Sequence, residues 1–183
     1  MRSTAPGEKD VLSGVRTIAT DMARGRPERQ RRRHLDRADF DRLSSAGFLR
    51  TGIPEEQGGL WRGVSGSVRH YCDLVYAISR GDPSVGLVAS MHPTVLVYGM
   101  VNDTAPKAFA DSWTRQRDWC FQTAQDGHWW GTITSEPGSG GDIMKTMAVV
   151  EPNGGGGLQL TGDKHFGSGS GITSYMITTA KLQ

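Results

Sequence analysis

The chain changes its pattern once, near residue 120, and that change bounds what it can fold into. Ahead of it, apolar residues recur at helical spacing. Behind it, twelve of the 25 glycines crowd between Gly131 and Gly171 and punctuate short β-branched runs. Average glycine usage of about 7% would place roughly 13 in a chain of this length. Each glycine inside a helix costs about 1 kcal/mol relative to alanine, so such a segment is built of strands and turns. The expected class is α+β, with an all-helical N-terminal domain over residues 1–120 and a partial antiparallel β-domain over residues 121–183.

In the first part, Val11, Val15, Ile18 and Met22 form one stripe of an amphipathic helix. Asp36 is placed to cap a second helix carrying Phe40 and Leu43, with Gly47 at its end. Between them runs an arginine-rich stretch: Arg24, Arg26, Arg29, Arg31, Arg32, Arg33 and Arg37. It reads as a solvated face and connection, because no aromatic residue interleaves it. Gly52-Ile-Pro-Glu-Glu-Gln-Gly-Gly59 reads as a structured loop. A third helix places Val68, Tyr71, Cys72, Val75 and Ile78 on one face. Asp82-Pro83-Ser84 opens a fourth over residues 84–101, apolar on nearly every side and so expected at the centre, with Pro93 predicted to kink it. Thr104-Ala-Pro106 caps a fifth carrying Phe109 and Trp113.

In the second part, strands are expected at 132–134, 146–150, 158–160, 164–166 and 175–180. Asn153 and the four glycines after it make a hairpin tip rather than a phosphate loop, since no helix and no lysine–serine pair follow. Trp129 and Trp130 are expected as strand-edge packing residues. The chain stops at Gln183 directly after a strand pattern, so a truncated sequence is expected.

Composition excludes several classes. Hydrophobic residues make up 36% and charged residues 22%, and the net charge is +2, so no basic field for nucleic acid is present. The polar start lacks a signal-peptide core, and the stretch over residues 85–101 is too interrupted to span a bilayer. Cys72 and Cys120 carry no metal-ligand spacing and read as reduced thiols. A soluble, cytoplasmic protein without metal is expected.

Three motifs then occur in order. Thr132-Ile-Thr-Ser-Glu-Pro-Gly-Ser-Gly-Gly-Asp142 resembles the flavin-contacting segment of acyl-CoA dehydrogenases. Leu160-Thr-Gly-Asp-Lys-His-Phe-Gly-Ser-Gly-Ser170 is similar to that family's second flavin segment, and residues 52–59 resemble its Gly-x-Pro-Glu-Glu-Tyr-Gly-Gly loop. The resemblance covers the chain but only about the first half of a family member.

For the intact protein the resemblance implies an FAD-dependent oxidoreductase that removes hydrogens from the α and β carbons of an acyl-CoA thioester. Its catalytic base has no counterpart among these residues. Cofactor contacts carry over onto Thr132, Ile133, Thr134, Ser135, Gly140 and Gly141, and onto Phe166, Gly167 and Ser168, with Gly141 also at the substrate position. A small-molecule substrate, an electron-transfer flavoprotein or flavin reductase, and a homo-oligomer are the implied partners. Gly141 replaces a family serine and Phe166 a family tryptophan. The Phe-Gly-Ser-Gly-Ser form resembles the superfamily branch of flavin-dependent monooxygenases, which is the alternative reading. A truncated remnant or interaction module, with the arginine run serving an acidic partner, is the non-enzymatic one.

Three polar residues remain open on sequence grounds. His92 beside Pro93 suits either proton transfer to a flavin adduct or a hydrogen-bonded core role. Glu136 is expected to be structural, and Asp142 to cap or brace its loop.

Overall fold

The computed structural model describes residues 6–101, 105–138 and 142–183. Among these, the helices are α1 (Glu8–Arg24), α2 (Arg26–Arg29), α3 (Arg37–Ser45), α4 (Val64–Gly81), α5 (Pro83–Val101) and α6 (Ala110–Gln125). The strands are β1 (Trp130–Thr132), β2 (Val149–Pro152), β3 (Leu158–Thr161), β4 (Tyr175–Ile177) and β5 (Lys181–Leu182). The helical half precedes the strands, as the change in pattern requires.

Local chemistry sets most of the helix boundaries. The predicted stripe of α1 is buried at Val11, Val15, Ile18 and Met22. Asp36 accepts the Ala38 N–H at 3.0 Å to open α3, and Gly47 turns the chain after it at φ 89°. Asp82 Oδ1 accepts the Ser84 and Val85 N–H groups at 2.9 and 3.2 Å, which starts α5 at Pro83. Helix α5 continues through Pro93. Thr104, the expected cap of the following helix, lies outside the described residues.

Three helix faces differ from expectation. In α4 the buried residues are Ser67, Leu74, Ile78 and Gly81, whereas Val68 is exposed and Cys72 faces solvent. Small residues let α4 approach its neighbours: a Cβ on Gly81 would collide with the Ala19 backbone of α1. Helix α5 is not buried all round, since Leu87 and Tyr98 are exposed on one stripe. In α6 the buried residues are Phe121, Thr123 and Ala124, and Phe109 precedes the helix in the open.

The arginine run is a solvated face at Arg24, Arg26, Arg31, Arg32, Arg33 and Arg37, with Arg29 the exception. Arg29 is 11% exposed, grips Asp39 with both terminal nitrogens at 3.0 and 2.5 Å, and donates through Nε to Asp82 at 2.8 Å. It therefore ties α2, α3 and the start of α5 together. Arg37 donates to the Ile172 carbonyl at 2.8 Å, joining the helices to the strand region.

The core forms two clusters on either side of β1. Trp129, fully buried, packs against Phe40 edge-on at 5.1 Å, Phe48 stacked at 5.7 Å and His92 at 5.3 Å. Trp130 joins Ile53, Leu96 and Phe121 and stacks on Tyr175 at 5.0 Å. Neighbouring residues of an extended chain point to opposite sides, so the two tryptophans enter different clusters rather than edge a strand.

Strand orientation is mixed, which corrects the antiparallel expectation. β1 pairs β4 in parallel, with Trp130 opposite Tyr175; β2 pairs β3 antiparallel and β5 in parallel. The β1–β4 connection is long enough to return the chain in the same direction. The expected strand over 175–180 is shortened to β4, which joins β1, and β5 follows beyond it and joins the outer sheet of order β3-β2-β5. The expected strand at 164–166 is reduced to one bridge, Ser135 to His165. The glycine run does form a hairpin tip, with Asn153 Oδ1 accepting the Gly155 and Gly157 N–H groups at 3.1 and 3.0 Å. Among the described residues, no helix is long and apolar enough to cross a membrane.

Candidate functional site

The two glycine-rich motifs lie side by side. Thr132 bridges Ser168 and Ser135 bridges His165, both antiparallel, so residues 132–135 and 165–168 form adjacent walls. The Ile133 N–H donates to the Ile177 carbonyl at 2.9 Å, and the Ile133 carbonyl accepts the Thr178 hydroxyl at 2.7 Å. Thr132 Oγ1 donates to Met91 Sδ at 3.3 Å, which ties this wall to α5. Gly167 is closely packed: a Cβ would lie 2.7 Å from Ser170 Oγ and 3.2 Å from Ile133 Cδ1, so both side chains would have to turn aside. Thr134 and Ser135 are half-buried, and their hydroxyls have no hydrogen-bond partner among the described residues. Gly140 and Gly141 lie outside the described residues.

Phe166 stands out on this surface. It is the one non-glycine with positive φ among the described residues, at 54°, and its side chain is 84% exposed. The left-handed conformation costs an L-residue about 1–2 kcal/mol, and nothing in the core recovers that cost for an exposed ring. Strain of this kind persists where surrounding structure enforces it, and it clusters at ligand sites.

Beneath the walls lies a buried ion pair. Lys164 Nζ contacts Glu136 Oε1 at 2.5 Å, with side chains 10% and 1% exposed. Glu136 also accepts from the Thr146 hydroxyl and from the Met147 and Ala148 N–H groups, the latter two at 2.5 and 3.2 Å. The Lys164 ammonium, the Thr146 hydroxyl and these amides hold its pKa down, to about 2. Glu136 is thus a structural carboxylate, as its motif position predicts. Asp142 accepts the Met144 N–H at 3.0 Å and caps the short turn after the loop.

His92 is fully buried and both ring nitrogens are engaged. Nε2 lies 3.0 Å from the Leu49 carbonyl, and Nδ1 accepts the Trp130 N–H at 3.0 Å, so the ring is the neutral Nε2–H tautomer. Burial pushes its pKa down to about 4. No nitrogen is left for a substrate, which selects the core role over proton transfer.

A second feature was not anticipated. A groove of about 310 Å³ lies between α4 and α5 and is closed by Thr51 and Trp61, with Val64, Val68, Tyr71, Thr94 and Tyr98 among its lining residues. Its signal was present as the Val68–Tyr71 stripe of α4, which periodicity alone assigns to a core. Met91, whose sulfur accepts the Thr132 hydroxyl, lies about one turn before Thr94, which lines the groove.

A helical domain docked on a strand layer, with glycine-permitted walls meeting beside α5, defines an acyl-CoA dehydrogenase type of architecture. The chain belongs to that family: residues 6–113 match the acyl-CoA dehydrogenase N-terminal domain. Butyryl-CoA dehydrogenase from Megasphaera elsdenii superimposes on 98% of this chain over 45% of its own, with a TM-score of 0.74 and 19% identity. Methanesulfinate monooxygenase MsuC from Pseudomonas fluorescens covers 94% of this chain with 39% of its own, at a TM-score of 0.70 and 26% identity. FMN-bound TdsC from Paenibacillus sp. A11-2 covers 94% with 40% of its own, at 0.72 and 21%. The chain therefore spans less than half the length of these neighbours. Comparison with the curated proteins gives no match.

Proposed function

We propose that the whole protein is a flavin-dependent oxidoreductase and that its flavin lies between residues 132–135 and the Phe166–Ser168 wall. The carrying observation is that the half-buried residues Thr134 and Ser135, whose hydroxyls have no hydrogen-bond partner among the described residues, lie on the same ladder as the strained, exposed Phe166. Hydroxyls without partners suit ring heteroatoms, and an aromatic held outward suits a ring face. In this reading Thr132, Ile133, Thr134 and Ser135, with Gly140 and Gly141, follow the ring and its phosphates. Phe166, Gly167 and Ser168 cover the ring.

The monooxygenase type is the reading we favour. It is supported by the Phe166 to Ser170 sequence and by the 26% identity to a sulfinate monooxygenase. Reduced flavin, when bound, supplies the electrons that activate dioxygen. The chain's own residues shield the ring with Phe166 and fix Thr132 against Met91. A flavin reductase would be the electron partner, and a homo-oligomer the working form. Residues 1–120 and 121–183 then correspond to the helical domain and part of the middle β-domain. FAD-dependent acyl-CoA dehydrogenation with an electron-transfer flavoprotein is the second reading, supported by the likeness to butyryl-CoA dehydrogenase.

Titration of the full-length protein with oxidised and reduced flavin separates these. Preference for reduced flavin, with oxygen consumption in the presence of a reductase, supports the monooxygenase. Tightly bound oxidised flavin that bleaches anaerobically with an acyl-CoA supports the dehydrogenase. Binding of flavin in neither state overturns both.

A further inference from the structure

We propose that the Lys164–Glu136 pair is a positioning clamp that sets where Phe166 stands against the 132–135 wall; this rests on the flavin reading above. Glu136 directly follows Ser135, and Lys164 lies two residues before Phe166. Each residue of the pair therefore sits at the root of one wall. Beyond their mutual contact, Lys164 Nζ donates to the Thr179 carbonyl at 2.7 Å and reaches the Thr179 and Thr146 hydroxyls at 3.2 Å. Glu136 gathers the Met147 and Ala148 amides. Four segments of chain thus converge on one pair of opposite charges.

Besides this pair, the bridges Ser135 to His165 and Thr132 to Ser168 flank Phe166 and share one register. The Phe166 segment forms no strand, and the His165 N–H to Ser135 carbonyl bond, at 2.8 Å, is its ladder contact next to the pair. A one-residue slip would break both bridges and displace Phe166 along the 132–135 wall. A buried charge pair is well suited to prevent this: apolar replacements of such pairs often leave stability unchanged, while the pair admits one arrangement. The enforced positive φ of Phe166, two residues on, is the strain such a clamp would sustain.

The test is a double-mutant cycle in the full-length protein, between Lys164→Met and Phe166→Ala, read by flavin affinity and bound-flavin fluorescence. Lys164→Met alone is expected to weaken flavin binding roughly tenfold and to change the fluorescence, with Lys164→Arg restoring most of both. In a Phe166→Ala background the same change is expected to cost less than about twofold. Equal losses in both backgrounds would overturn the clamp. Amide hydrogen exchange at residues 166–168 without flavin provides a second arm, expected to quicken in Lys164→Met. If the wild-type protein binds no flavin, the flavin reading fails, and unchanged exchange would still sink the clamp separately. Glu136→Gln serves the same comparisons if Lys164→Met does not fold. Failure of both to fold would also overturn the proposal, since the pair would then determine the fold rather than position one wall.

Discussion

His92 on α5 accepts the backbone N–H of Trp130 at 3.0 Å through Nδ1, so one imidazole joins the central helix to the first strand. Its other nitrogen holds the Leu49 carbonyl at 3.0 Å. Protonation would place a donor against the Trp130 donor and break that junction. The folded-state pKa of about 4 lies below the ordinary 6.5, so the unfolded chain takes up the proton first. Stability is therefore intact above pH 6.5 and is lost as pH falls toward 4, by about 3 kcal/mol in all. Denaturant melts across this range should show the loss in the wild type and a flatter profile in His92→Gln. Glu136 has its own window, from its ordinary 4.5 down to about 2, and contributes the next loss as pH falls further.

Arg29 neutralises buried Asp39 and half-buried Asp82 at once, and Asp82 uses its other oxygen to cap α5. Arg29→Met should destabilise by about 3 kcal/mol, because buried Asp39 loses its two-pronged partner and is left with Arg32 at 3.9 Å. Arg29→Lys should recover little, since an ammonium lacks the fork that meets Asp39 and Asp82 together. Thermal and denaturant unfolding of both variants check this.

Phe166 should trade stability against binding. Phe166→Gly relieves the positive φ at an exposed site and is expected to stabilise the ligand-free protein by about 1 kcal/mol. The same change should weaken flavin affinity. A destabilised variant, or one with unaltered affinity, would count against the role given to this ring.

Gly59 has no room for a side chain, because a Cβ would overlap the Ile53 carbonyl. Gly59→Ala should cost about 3 kcal/mol through displacement of the 52–59 loop. Gly155, at the hairpin tip, has only the Asn153 side chain nearby, at 3.6 Å. Gly155→Ala should stay within about 0.5 kcal/mol. Paired melting curves decide the contrast.

Much of this molecule is local in origin and so was legible in the chain alone. The α1 stripe, the Asp36 and Asp82 caps, the Asn153 hairpin and the cap by Asp142 each depend on residues within a turn or two of one another. The same holds for the order of helices before strands and for the motifs that mark both walls. What periodicity could not reveal is which apolar stripe meets a partner. The Val68–Tyr71 face of α4 lines an open groove, while Leu74, Ile78 and Gly81 carry the packing. Strand direction, the two-sided burial of Trp129 and Trp130, the Arg29 junction, the His92 bridge and the Lys164–Glu136 pair all join residues far apart in the chain. Such contacts depend on how elements dock, and docking is decided by shape and by the need to pair every buried charge and amide, which only the assembled tertiary structure resolves.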